Sequence, residues 1–267
     1  MHQRGAPQRE NNAAAPSIGL VRFVIVPTSL QDSAVTLRQT LLAIALLASS
    51  AAAGAADPVK QVDIYVTPYY EASHVKGGAP KIAVAKQYDV LLASSRREDV
   101  AKARDEIARD NALLTPMTLM VLAIRLYDVG LRDDSVFWFY AAKDRYATLA
   151  VVADMKAPQL AQVEDATRNF AILAGPTING YAFCDIARQQ EIRAKAMQWV
   201  IDNPYKALFL PQVPARPGDR EANLKKGVVE ITAAATKERE YLAKPANVAD
   251  LKAKRKENDA DRKYCWK

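Results

Sequence analysis

The sequence predicts a mainly α fold of antiparallel helical hairpins, with a short extended segment leading into it at 57–95. Three observations carry this reading. Thr115-Pro116 and Gly130 bracket a long apolar run with a helix start and a helix stop. From Arg97 onward, most segments between Pro, Gly and Asn breaks set their apolar residues at helical spacing. A strand-like alternation is read only at Val62, Ile64 and Val66, and Pro68 ends it.

In chain order, residues 1–34 show neither period and few charges, and are expected to be untranslated or without fixed structure, with initiation near Val35. Arg38 then precedes the apolar run 41–48 and the small residues 49–56, which is the order of a secretory signal over 35–56. The run is far shorter than the roughly 20 residues a bilayer span needs, so no membrane anchor is expected in the mature chain. Cleavage is expected between Ala56 and Asp57, leaving one mature domain over 57–267.

Within that domain the segment 96–204 reads as a helical core. Residues 97–110 form a surface helix with Val100, Ala103, Ile107 and Ala108 on one face. Residues 116–129 are apolar nearly all round, which places that helix centrally. Arg132-Asp133-Asp134 is read as a polar turn before a helix at 135–146, and so short a link makes the pair antiparallel. A further helix is predicted from Pro158 to Leu173, stopped by Gly175-Pro176, then a long one from Tyr181 to Asp202. Residues 205–219, with Pro211, Pro214, Pro217 and Gly218, form an irregular crossing, and 220–244 a helix interrupted or bent at Gly227. Residues 248–254 give a last turn or two before a charged tail.

The mature chain keeps 33 basic and 28 acidic residues, a net charge of +5. No basic stripe interleaved with aromatics accompanies it, so nucleic acid is not an expected partner. Cys184 and Cys265 are its two cysteines, and an even count in an exported chain reads as one disulfide tying the tail to the helix bearing Cys184. Closing an 81-residue loop contributes up to roughly 4–5 kcal/mol. His74 is the single mature histidine, and two thiols alone cannot complete a zinc shell, so no metal or cofactor is expected. Gly77-Gly78 lacks the residues of a phosphate loop. Glu71 and the pair Glu164-Asp165 are the carboxylates considered for acid–base chemistry, against solvated helix-face charge for the latter pair.

The hairpin 116–146 resembles a tetratricopeptide or Sel1-like repeat. Leu122 and Ala123 stand for the large-then-small pair, Gly130 for the glycine closing the first helix, and Ser135, Phe139 and Ala142 for the contact positions of the second. Ser135-x-x-Trp138-Phe139-x-x-Ala142 is close to the Sel1-like Ala-x-x-Trp-Tyr-x-x-Ala. Leu126 stands where an aromatic is usual, and no second copy follows at a fixed period over 150–267. The resemblance implies ligand contacts from the inner face of the first helix, here Met117, Met120, Ile124, Tyr127 and Asp128. Tyr127 and Asp128 are the binding candidates, with burial against a neighbouring helix as the competing role for that face.

These readings lead to an expected function: a periplasmic or secreted, non-enzymatic helical protein, an adaptor or inhibitor or immunity-type protein, whose partner is another envelope protein. An envelope glycan or peptidoglycan hydrolase using paired carboxylates, and a cationic binder of lipid or glycan, are the alternatives.

Overall fold

A computed structural model describes residues 86–266, and among them the architecture is helical, without a strand. After a 3-10 turn at Lys86–Tyr88 come α1 (Asp89–Ala93), α2 (Arg97–Arg109), α3 (Pro116–Asp128) and α4 (Arg132–Val152). Next are α5 (Ala161–Ala182), α6 (Ile186–Asp202), a 3-10 turn at Lys206–Phe209, α7 (Arg220–Leu242), α8 (Pro245–Glu257) and α9 (Ala260–Tyr264). The readings of a signal segment, its cleavage at Ala56–Asp57, the 62–67 strand, Glu71, His74 and Gly77-Gly78 all lie outside the described residues.

The α3–α4 hairpin forms as its punctuation dictates. The Thr115 hydroxyl accepts from the Thr118 amide at 3.1 Å, and Pro116 occupies the first turn, where its missing N–H leaves no bond unmade. At the other end Gly130 takes φ +80°, and the amides of Gly130 and Leu131 donate to the carbonyls of Tyr127 and Leu126. That is a Schellman cap, and it turns the chain straight into α4. Leu122, Ala123, Ser135, Phe139 and Ala142 are all fully buried.

α4 is the hub of the fold, packed against α3, α5, α6 and α7. Its buried residues run round the whole helix, from Val136 and Trp138 to Arg145 and Leu149. A second, smaller core gathers where its end meets the crossing: Leu149, Val152, Leu160, Tyr205, Leu208 and Val213. A single antiparallel bridge joins Ala153 to Ala215, and Arg220 donates to the carbonyls of Leu208, Leu210 and Val213. In this way the irregular crossing has its backbone acceptors satisfied without regular structure.

Several sequence expectations are corrected. Arg132-Asp133-Asp134 is the first turn of α4, not a loop, because carboxylates there complement the helix dipole while the Schellman cap has already reversed the chain. Gly175-Pro176 does not break α5. Phe170, Ala174, Ile178 and Ala182, spaced by four, form one buried stripe through the proline, and both Pro176 and Ile172, whose carbonyl loses its partner, are exposed to water. The next helix starts at Ile186, not Tyr181, since the Asp185 carboxylate caps it by accepting from the Arg188 amide at 3.0 Å. α7 is continuous through Gly227, where a Cβ would stand 3.2 Å from the Thr148 Cα, so the glycine serves close helix approach. The last turns extend to two helices, α8 and α9.

Candidate functional site

The features most unlike ordinary helix packing gather around the C-terminal tail. α8 and α9 are joined by a tight reversal in which Asp259 adopts φ 53°, a conformation Asp tolerates better than most residues, and Arg262 pairs with its carboxylate. This folds the tail back onto the end of α5. There Cys265 is bonded to Cys184, with Cα atoms 5.6 Å apart. The Tyr264 ring lies against Gly180, so closely that a Cβ would come within 2.5 Å of it.

Two arginines fasten the tail from either side. Arg255 of α8 is 9% exposed, and its guanidinium donates to the Gly180 carbonyl (3.0 Å) and the Asp261 carboxylate (2.8 Å). Its Nη2, also 2.8 Å from the Asp261 carboxylate, lies 3.1 Å from Cys265 Sγ and 3.6 Å from Cys184 Sγ. Arg132 of α4 donates to the Trp266 carbonyl at 2.8 Å and lies over the rings of Trp266 (4.0 Å) and Tyr181 (4.6 Å).

A hollow opens on each side of the disulfide. The first, about 210 Å³, is walled by Arg132, Asp133, Tyr181, Arg188, Trp266 and the bridge itself. Arg188 pairs with Asp133, which also accepts from the Tyr181 hydroxyl at 2.9 Å. Burial, then this hydrogen bond, raises the Tyr181 phenol above its ordinary value. The second hollow, about 620 Å³, sets Lys252, Arg255 and Lys256 against Asp185, Asp259 and Asp261.

Behind the first hollow a polar network joins α4, α6 and α7. Arg193 grips Asp144 with two nitrogens at 2.5 and 3.0 Å and reaches Glu238 at 3.5 Å. Gln189 donates to Glu238 (2.7 Å) and to the Tyr140 hydroxyl (3.0 Å), while its amide oxygen finds no partner among the described residues. Burial pushes the Asp144 carboxyl up against the pull of Arg193, raises Tyr140 and lowers Lys143. Such a network fixes how three helices meet.

The binding candidates of the resemblance lie inside the protein. Tyr127 has no exposed surface and packs its ring edge-on against Tyr181 at 6.4 Å, and burial pushes its phenol up to about 12. The Asp128 side chain is 1% exposed and accepts from Arg125 at 2.6 Å, which also holds the carbonyls of Leu92 and Ser94. Met117, Met120 and Ile124 are buried as well, with α5 packed along α3. The chain's own helix fills the space where the resemblance would put a ligand. Asp165 is a solvated charge paired with Arg168. Tyr127 meets the site through Tyr181, which stands on the hollow's wall. Sequence reasoning singled out the two cysteines but not Arg132, Asp133, Arg188, Arg255 or Trp266. Only the nearness of Trp266 to Cys265 in sequence could have drawn attention there.

Among the described residues no group of three or more His, Cys, Asp and Glu could hold a metal ion, and no helix is long and apolar enough to cross a membrane. The chain is 34% identical over 210 residues to an uncharacterised protein of Haemophilus influenzae, a match covering 79% of this chain and 81% of that one. No family profile and no solved structure matches it.

Proposed function

The chain belongs to the family of that Haemophilus influenzae protein, and we propose that it is an exported, non-enzymatic helical interaction protein that binds another protein of the bacterial envelope as an adaptor or inhibitor. The observation carrying this is the Cys184–Cys265 disulfide with the hollow beside it. A cysteine pair placed to form a disulfide fits an oxidising compartment, which agrees with the secretory order of charge, apolar run and small residues over 35–56.

The hollow's size supports a protein partner. At about 210 Å³ it is smaller than the roughly 300–1,000 Å³ of small-molecule sites, and it suits one inserted side chain. Its wall sets the aromatic rings of Tyr181 and Trp266 beside Arg132 and Arg188, residue types enriched where proteins meet. The larger hollow has the volume of a ligand site but a charged lining in place of an apolar one. Its carboxylates are all engaged: Asp185 caps α6, Asp259 holds Arg262 and Asp261 holds Arg255.

The test is to express the full chain in its own cell with a photo-crosslinking residue in place of Arg188. The expected result is one stoichiometric protein adduct, recovered with a chain whose N-terminus is Asp57. An unprocessed cytoplasmic chain, or adducts to no protein, would overturn the reading.

A further inference from the structure

We infer that the Cys184–Cys265 bond is a thiol–disulfide exchange site built to accept electrons from a dithiol, in addition to tying down the tail. The inference is independent of which protein the chain binds. It stands on the contact between Arg255 and the two sulfurs, on the exposure of Cys184, and on the hollows that flank the bridge.

A sulfur in a disulfide is a weak acceptor, so a guanidinium 3.1 Å from Cys265 Sγ gains little while the bond is intact. Once that sulfur becomes a thiolate, the same geometry is a charge-assisted contact. Arg255 is 9% exposed, so solvent screens it poorly. The opposing carboxylate, Asp261, lies 3.6 Å from Cys265 Sγ, but its side chain is 69% exposed and it already accepts from Arg255. Thiols beside arginine have pKa values drawn from about 8.5 into the range of roughly 3.5–7.5, and a thiol of lower pKa leaves faster.

The two sulfurs are therefore unequal. Cys184 is exposed and borders both hollows, whereas Cys265 is partly buried and is the closer to Arg255. An incoming thiolate attacks Cys184 Sγ, forming a new S–S bond there, and the electron pair of the broken bond leaves on Cys265 as a thiolate held by Arg255. The second thiol of the donor, losing its proton, attacks its own sulfur in the mixed disulfide. Cys184 leaves and takes up a proton, and the donor departs oxidised by two electrons. The tail from Asp259 to Trp266 then loses its covalent tie and keeps the Arg132, Gly180 and Arg255 contacts.

The probes are dithiothreitol and glutathione on the full chain, with free thiols trapped by alkylation and counted by mass. Reduction of the folded wild type by dithiothreitol is expected to be no slower than in 8 M urea, at least fivefold faster than in Arg255→Gln, and largely retained in Arg255→Lys. The quenched glutathione adduct should map to Cys184. In the Cys184→Ser chain, absorbance at 240 nm should show at least half of Cys265 as thiolate at pH 7, more than tenfold above an ordinary thiol. Folded-state reduction tenfold slower than in urea, or an adduct on Cys265, would overturn the inference. Both results come from the wild type, so they stand whether or not the Arg255 variants fold.

Discussion

Replacing Arg145 by Met tests how the irregular half of the molecule is held. Arg145 has no exposed surface, yet no carboxylate is among its hydrogen-bond partners. It donates to the carbonyls of Asn111 (2.8 Å), Leu114 (3.3 Å) and Asn203 (2.9 Å) and to Asn111 Oδ1 (3.0 Å), and it lies beside the rings of Trp199 and Tyr205. It thereby joins the α2–α3 loop to the end of α6. Burial draws its pKa down to about 10, so the charge persists at pH 7 at a penalty of roughly 3 kcal/mol. Methionine removes that penalty, but the acceptors remain. Asn111 O keeps a bond from the Leu114 amide, while the other groups lose the guanidinium at about 1–3 kcal/mol each. Three acceptors at about 2 kcal/mol each, less the roughly 3 kcal/mol recovered, leave a loss of about 2–4 kcal/mol. Urea unfolding at pH 7, with a slope of about 2 kcal/mol per molar, should show the midpoint falling by about 1–2 M. A variant as stable as the wild type would refute the argument. It would mean that the charge's penalty had equalled everything the guanidinium contributes.

Three further outcomes follow from the same geometry. Ser135 is fully buried and its hydroxyl has no partner among the described residues, so Ser135→Ala should raise the midpoint of thermal unfolding by about 1–4 °C, and a fall would contradict the packing described. Burial pushes Tyr127 and Tyr146 up to about 12 and raises Tyr140 and Tyr205 as well. Because these folded values lie above the unfolded value near 10, their stabilisation is complete below pH 10 and is lost as pH rises through 10–12. Arg145 and Lys143, lowered instead, act in the opposite sense but are outnumbered by the tyrosines. Phenolate absorbance at 295 nm should therefore rise together with loss of helix above pH 10, and independent titration of these tyrosines near pH 10 in a folded chain would speak against it. Gly180→Ala puts a methyl into the Tyr264 ring, so trypsin should cut at Arg262 and Lys263 several-fold faster, and unchanged cleavage would show that the tail is not seated there.

The parts of the fold legible in the sequence are those decided within a few residues. Thr115, Pro116 and Gly130 act on backbone groups three to five positions away, and the hairpin they define is the one observed. The Pro176 misreading had a local cause: a proline signals a stop, and it prevails unless tertiary packing outweighs the missing bond. The Phe170, Ala174, Ile178, Ala182 spacing that outweighs it was present in the sequence, but whether such a stripe finds a partner depends on α3 and α4. The site shows the same divide. The cysteine pair could be read because only two candidates exist. Arg255 meets Gly180 across 75 positions and Arg132 meets Trp266 across 134, and no local pattern distinguishes these arginines from the surrounding surface charges.

An αα-hairpin of the kind seen at α3 and α4 leaves apolar faces that must be covered. Repeat proteins cover them with further copies and keep one concave surface for ligands. Here α6 and α7, whose sequences do not repeat the hairpin, cover α4, and α5, which does not repeat it either, packs along α3 over the surface that the resemblance would assign to binding. Tyr127 and Asp128 are therefore packing residues, and accessible chemistry is displaced to the rim where α4, α5 and α6 meet the tail. That rim has its present shape because Cys184 holds Cys265, with Arg132 and Arg255 on either side. A solenoid's groove is fixed by its core, whereas this hollow is fixed by one covalent bond at the surface. If exchange at Cys184 opens that bond, Cys265 and Trp266 are held on the wall by non-covalent contacts alone, and affinity for a partner seated against Arg188 should change with the redox state of the chain. Measuring that affinity before and after reduction separates a rigid adaptor, whose binding stays constant, from a protein whose binding surface is made and unmade by electrons.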